Sequence, residues 1–186
     1  MDLLLTILGG LALFIDSKRK KKEKLSKNNQ EEKMKTAESK VIIEIKNKIH
    51  ENINSGLYIK SLRPLTNNTF TVSPDETGVQ VQQLGKYILK WEHFDAIVKK
   101  ANELGGIMYR GDALSQNKGI ELGTDIPHNY MEGFIAHELL GIADKKSITR
   151  RSTYYSGILA WAGIVELHES QGKGSYITVN AKYRNI

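Results

Sequence analysis

There is no cysteine among the 186 residues. Its absence excludes a disulfide framework, a thiolate zinc site and a cysteine nucleophile, and it fits a cytoplasmic location. The nucleophile-elbow pattern GxSxG, the P-loop and the dinucleotide-binding GxGxxG are missing as well, so the familiar signatures of acyl, phosphoryl and hydride transfer are not here. The N-terminal apolar run, Leu3 to Ile15, has only thirteen residues. At 1.5 Å per residue, about 15 residues reach roughly 22 Å, short of a hydrocarbon core near 30 Å. Residues 17–40 hold no aromatic and almost no apolar side chain, so they cannot bury a core.

The charged residues directly after the apolar run give it meaning. Lys18-Arg19-Lys20-Lys21-Lys22-Glu23-Lys24 puts the positive charge on its C-terminal side. By the positive-inside rule this pattern predicts an uncleaved single-pass anchor in the cell membrane, N-terminus outside and residues 17–186 in the cytoplasm. A secretory signal would carry its charge before the run and a small-residue cleavage site after it; here Asp2 precedes and Phe14-Ile15-Asp16 follows. A surface-lying segment and a cleaved signal are the alternatives. The anchor reading places Leu3, Leu4, Leu5, Ile7, Leu8, Leu11, Leu13, Phe14 and Ile15 in lipid, with local thinning and snorkelling covering the shortfall. Lys18, Arg19, Lys20, Lys21 and Lys22 then meet anionic headgroups.

The net charge of +6 is informative once divided. Residues 17–40 carry ten Lys/Arg against four Glu, so the remainder is neutral overall. Within that remainder, residues 91–144 hold four basic and nine acidic side chains, and residues 145–186 hold seven basic and two acidic. Such an asymmetry marks a contact surface for a polyanion.

From Val41 the pattern becomes that of a folded domain. Ile42, Ile45, Ile49 and Ile53 lie on one helical stripe that ends at Ser55-Gly56. That stripe either packs on the domain or pairs with its copy in a homodimer. Leu57–Ile59, Thr69–Val72, Val79–Val81 and Lys86–Leu89 predict short strands of an antiparallel meander, separated by turns such as Pro74-Asp75-Glu76-Thr77-Gly78. Phe94, Ile97, Val98 and Ala101 predict a first helix of the C-terminal part, stopped by Gly105-Gly106. A long loop, Ile107 to Pro127, precedes a second helix over 130–140, which buries Met131, Phe134, Ile135, Leu139 and Leu140. Ser147 or Thr149 caps a third helix that runs to Ala162. Ile164–Leu167 and Ser175–Val179 close a hairpin with its tip at Gln171–Gly174.

The succession of helix, helix, turn, helix and hairpin resembles a winged helix-turn-helix domain over about residues 91–180. Lys145, Lys146, Ser147, Thr149, Arg150, Arg151, Thr153 and Tyr154 cluster at the first turns of the third helix, and Lys173 sits at the hairpin tip between two glycines. The resemblance implies a recognition helix whose N-terminal residues meet base edges and phosphates, and a basic wing tip on the adjacent backbone. The partner it implies is duplex DNA.

Other constellations are thin. His137-Glu138 begins the zinc motif HExxH, but Gly141 stands where the second histidine belongs. His128 and Glu132, four apart, read as a polar pair at a helix start. Glu44-Ile45-Lys46 and Pro74-Asp75 supply the parts of a nuclease site in the wrong order. Trp91 and Trp161 read as core. No catalytic residue, cofactor or metal is expected.

The expected fold class is α+β: an N-terminal membrane-anchor helix (1–16), a charged tether (17–40), an amphipathic helix plus a small antiparallel β region (41–90) and a C-terminal winged-helix-like domain (91–186). The expected function is a membrane-anchored, non-enzymatic DNA-binding protein. The alternatives are a membrane-tethered protein-interaction module, with its partner on the acidic face of the first and second helices of the C-terminal part (Glu132 and Glu138 on the second), and a nuclease or other hydrolase.

Overall fold

The computed structural model describes residues 38–52, 58–60, 69–111, 120–169 and 174–186. Residues 39–186 form one compact unit. Its first helix, α1 (Lys40–Asn52), buries Val41, Ile45 and Ile49. Ser39 starts it by accepting the Ile42 amide on its hydroxyl at 3.3 Å, which satisfies one of the helix's orphan donors. Ile45 and Ile49 are spent on this chain's own core rather than left open to a second copy. Ile53 lies outside the described residues.

Four strands follow as an antiparallel meander: β1 (Tyr58–Lys60), β2 (Thr69–Pro74), β3 (Gly78–Val81) and β4 (Ile88–Lys90), in that spatial order. Alternation drives Phe70, Val72, Val79, Val81 and Leu89 to one buried face. The β2–β3 turn is closed by Asp75, whose carboxylate accepts the Thr77 amide at 2.9 Å and its hydroxyl at 2.8 Å. Gly78 is required there, because a Cβ would fall 2.1 Å from the Leu89 carbonyl oxygen.

The helix α2 (Trp91–Glu103) buries Trp91, Phe94, Ile97, Val98 and Ala101. Gly105 and Gly106 end it in the left-handed region, at φ 85° and 86°, where only glycine is unstrained. Then come β5 (Ile107–Tyr109), α3 (Met131–Phe134, continued by a π-helical turn over Ile135–Leu139), α4 (Ser152–Trp161), β6 (Val165–His168) and β7 (Tyr176–Val179). The second sheet has the order β5-β7-β6 and is antiparallel throughout. One hydrophobic core runs from Val41 to Tyr183, so it does not divide at residue 90. A separate cluster of Ile120, Leu122, Ile126, Ala136 and Ile148 lies beside it.

Four expectations are corrected. Among the described residues no helix is long and apolar enough to cross a membrane. The run on which the anchor helix and the single-pass location rested (Leu3, Leu4, Leu5, Ile7, Leu8, Leu11, Leu13, Phe14, Ile15) lies outside them, as do Lys18, Arg19, Lys20, Lys21 and Lys22. At thirteen residues it is also shorter than the roughly 20 that a span requires. The loop after Gly106 is not structureless, because Ile107–Tyr109 pairs with β7. The helix over 130–140 is α-helical for four residues only. Finally, the third helix starts at Ser152, so Lys145 to Arg151 precede it instead of forming its first turns.

Candidate functional site

The loop between α3 and α4 and the first turn of α4 contain every expected DNA-contacting residue except Lys173, which lies outside the described residues. The loop is held as one edge of a ribbon. Leu122 donates to the Lys146 carbonyl at 3.2 Å, Lys145 donates back to Leu122 at 2.9 Å, and Ile148 donates to Ile120 at 3.2 Å. Ile148 plugs into the small cluster below. Lys145, Lys146, Ser147 and Thr149 therefore stand exposed on a fixed support. Lys145 has φ 61°, a left-handed conformation uncommon outside glycine.

Past Thr149 the side chains turn inward. The Arg151 guanidinium lies 4.4 Å from the Tyr87 ring centroid, a cation–π contact with the segment before β4. Its Nη1 donates to the Thr149 carbonyl at 3.1 Å. The Thr153 hydroxyl accepts from Arg110 at 2.9 Å, and Arg110 also reaches the Ser175 hydroxyl at 2.9 Å. Tyr154 packs edge-on against Phe70 of the meander, with centroids 5.2 Å apart. Arg150 is half-buried.

The helix α4 buries Ser152, Tyr155, Ser156, Ile158 and Leu159, and β1 lies against it. A helix apolar on nearly all sides is a core element. It cannot present a polar face to a major groove. The expected recognition helix is thus the central rod of the fold, and its end is already occupied by a carboxyl group. Glu132, 1% exposed, accepts the Arg151 amide at 2.8 and 2.9 Å and the Ser152 amide at 2.9 Å. These are the donors that a phosphate would seek at a helix N-terminus. Burial pushes the Glu132 carboxyl above its ordinary range, against the hydrogen bonds from Ser152 and Arg151 that favour its charged form.

The polar chain continues inward. Tyr155 is fully buried, and its hydroxyl shares a hydrogen bond of 2.8 Å with His93 Nδ1. Burial raises the Tyr155 hydroxyl far above its ordinary range, with hydrogen bonding by Tyr87 adding to it. Burial also lowers His93. Contacts through Glu132, Arg151, Tyr87, Tyr155 and His93 tie α4 to α2, α3 and the meander.

The acidic face expected on the first and second helices loses Glu132, which points inward, while Glu138 remains exposed. The would-be nuclease residues also part company. Glu44 pairs with Lys182 at 3.1 Å, while Lys46 and Asp75 line a cleft of about 200 Å³ with Trp91 and His50. In the sequence His93 and Arg110 carry no signal of these roles, and Glu132 reads only as a polar partner of His128 and part of an acidic face. For Glu132 a signal existed, because Ile135 and Ala136 share its helical face by the i+3, i+4 rule. Comparison with protein-family models, curated protein sequences and solved structures returns no significant match for this chain.

Proposed function

We propose that residues 39–186 form a DNA-binding module of the winged-helix type that grips the phosphate backbone through the loop before α4 and does not read bases with α4 itself. The carrying observation is the display of Lys145 and Lys146, exposed and followed by Ser147 and Thr149, on a hydrogen-bonded ribbon. Fixed ammonium and hydroxyl groups on one support are what sequence-independent phosphate contact needs. The inward turn of Arg151, Thr153 and Tyr154 limits the contact to the backbone.

The test is binding of a mixed-sequence duplex to the full chain at several salt concentrations. Replacing Lys145 and Lys146 together by Ala should flatten the slope of log affinity against log salt by about two units, at roughly 0.9 per phosphate. The difference between the two proteins removes the contribution of the basic 17–40 segment, which both retain. An unchanged slope discards the loop as a DNA contact.

A second reading, a protein-interaction module, is favoured by one feature. Leu104 and Ile107 are exposed at 38% and 48%, and with Met108, Tyr109, Asn129 and Tyr130 they line a shallow groove of about 360 Å³. Exposed apolar surface of this kind suits a partner protein.

A further inference from the structure

We propose that His128, His137 and Asp144 form a divalent transition-metal site, of the kind that zinc occupies with two imidazoles and one carboxylate. One ligand atom from each of the three lies within 4.8 Å of the others. Two of the five histidines in the chain meet here from separate places: His128 from the turn before α3, and His137 from its π-helical continuation. Their rings stack with centroids 4.3 Å apart and planes 12° from parallel, so one ring must turn for both in-plane lone pairs to meet a single ion. Asp144 arrives from the loop that carries Lys145, with Oδ1 2.7 Å from His128 Nε2.

Three features of the surroundings support ligation over a simple hydrogen-bonded pair. The first is the π-helical turn itself. Leu140 donates to the Ile135 carbonyl, five residues back, at 3.0 Å, and the extra residue rotates the next part of the chain around the axis. Such turns are rare and concentrate at functional sites. The second is the hold on His137. Glu138 Oε1 lies 3.0 Å from its Nδ1, so a neutral His137 donates Nδ1–H to the carboxylate and keeps the Nε2 lone pair. A carboxylate behind a histidine is how metal-bound imidazoles are oriented. The third is the space left for Asp144. A Cβ on Gly123 would stand 3.0 Å from its Cγ and 3.1 Å from Oδ1, and the glycine's φ of 79° marks the position as unsuited to a side chain.

The set of two nitrogens and one carboxylate oxygen suits zinc and its neighbours, not calcium or magnesium. Bonds of about 2.0–2.1 Å in a tetrahedron separate the ligand atoms by roughly 3.3 Å. Asp144 must therefore withdraw by about 0.6 Å from its present 2.7 Å, and its side chain is 55% exposed and on a loop. The three residues fill three positions and leave the fourth to solvent. Glu132, the partner that spacing offered to His128, takes no part, since both its oxygens face the start of α4. The site stands or falls independently of the DNA-binding reading.

The test uses the full chain, stripped with a chelator and titrated first with Co²⁺ and then with Zn²⁺. The expected result is one ion per chain, a Co²⁺ visible spectrum of a nitrogen–oxygen site, displacement by Zn²⁺, and a metal-dependent rise in the unfolding midpoint. His137→Ala and Asp144→Asn should each weaken binding at least about tenfold, and Glu138→Gln should weaken it about tenfold through the lost orientation of His137. His50→Ala and His168→Ala should leave binding unchanged. Zinc should also protect His128 and His137 of the unaltered chain from acylation by diethyl pyrocarbonate, a readout that needs no variant. Failure of the folded chain to bind either metal overturns the proposal. So does binding that survives the double change His128→Ala with His137→Ala.

Discussion

The two stretches on either side of Ser152 are held in different ways. Before it, the chain from Lys145 to Thr149 depends on five side chains, Ile120, Leu122, Ile126, Ala136 and Ile148. After it, α4 lies in the main core, with Tyr155, Ile158 and Leu159 at 0% exposure. Between them stands Glu132, which ends one regime and starts the other by closing the α4 N-terminus. Local stability follows local apolar contact, so a segment on a small satellite cluster can open while the rod beside it stays fixed.

The largest expected effect tests the separation directly. Leu159→Ala in the main core should destabilise the protein by about 2–5 kcal/mol, by lost transfer energy plus an unfilled cavity. Ile148→Ala should cost about 2 kcal/mol at most, because its small cluster is better able to collapse around the gap. The amides of Leu122, Lys145 and Ile148 should then exchange quickly while those of α4 keep their protection. Denaturant melts and hydrogen exchange read both. Equal costs with uniform loss of protection would mean that the two stretches are one cooperative body.

The same contrast decides how much was legible in the sequence. The β2–β3 hairpin and α2 were readable, because period-two alternation, Asp75–Gly78 and the Gly105-Gly106 stop are local signals. Strand β5 was not, because Ile-Met-Tyr is too short to show a period and is made a strand by β7. The burial of α4 was half visible in Ile158 to Ala162. Its polar first turn read as exposed, yet Thr153 and Tyr154 are taken up by Arg110 and Phe70 from distant parts of the chain. The cluster of His128, His137 and Asp144 was invisible for the same reason. Its members lie nine and seven residues apart in sequence, and only a π-helical turn and a loop bring them together.

The next effect is on pH dependence, and it probes the polar chain between the two regimes. His93 is held below its ordinary value of 6.5 by burial. The native state therefore binds fewer protons than the unfolded one, and the stability that His93 contributes is present above pH 6.5 and lost as pH falls through its native value. Glu132 is held above its ordinary 4.5. Its contribution is present below pH 4.5 and lost as pH rises through its native value. His93→Gln should remove the acid-side loss and Glu132→Gln the opposite slope, each measured as unfolding free energy against pH. Neither change should affect exchange at Leu122 or Ile148. If either does, the polar chain couples the loop to the rod, and the comparison must be redrawn.

The smallest expected effect sharpens the functional side. Lys145 is held at φ 61°, where a non-glycine residue costs on the order of 1–2 kcal/mol. Glycine carries no such strain, although it gives up about 0.5–1 kcal/mol of chain entropy on ordering. Lys145→Gly should accordingly leave stability unchanged or raise it by up to about 1 kcal/mol. Under the proposed function, the Lys145 side chain is what this conformation holds toward the phosphate backbone. The same variant should therefore bind duplex DNA more weakly at low salt, with the salt slope reduced by about one unit. A gain in stability with full DNA affinity would make the lysine incidental. A loss of stability would show that its aliphatic stem supports the ribbon, and that the exposed side of the comparison has structural work of its own.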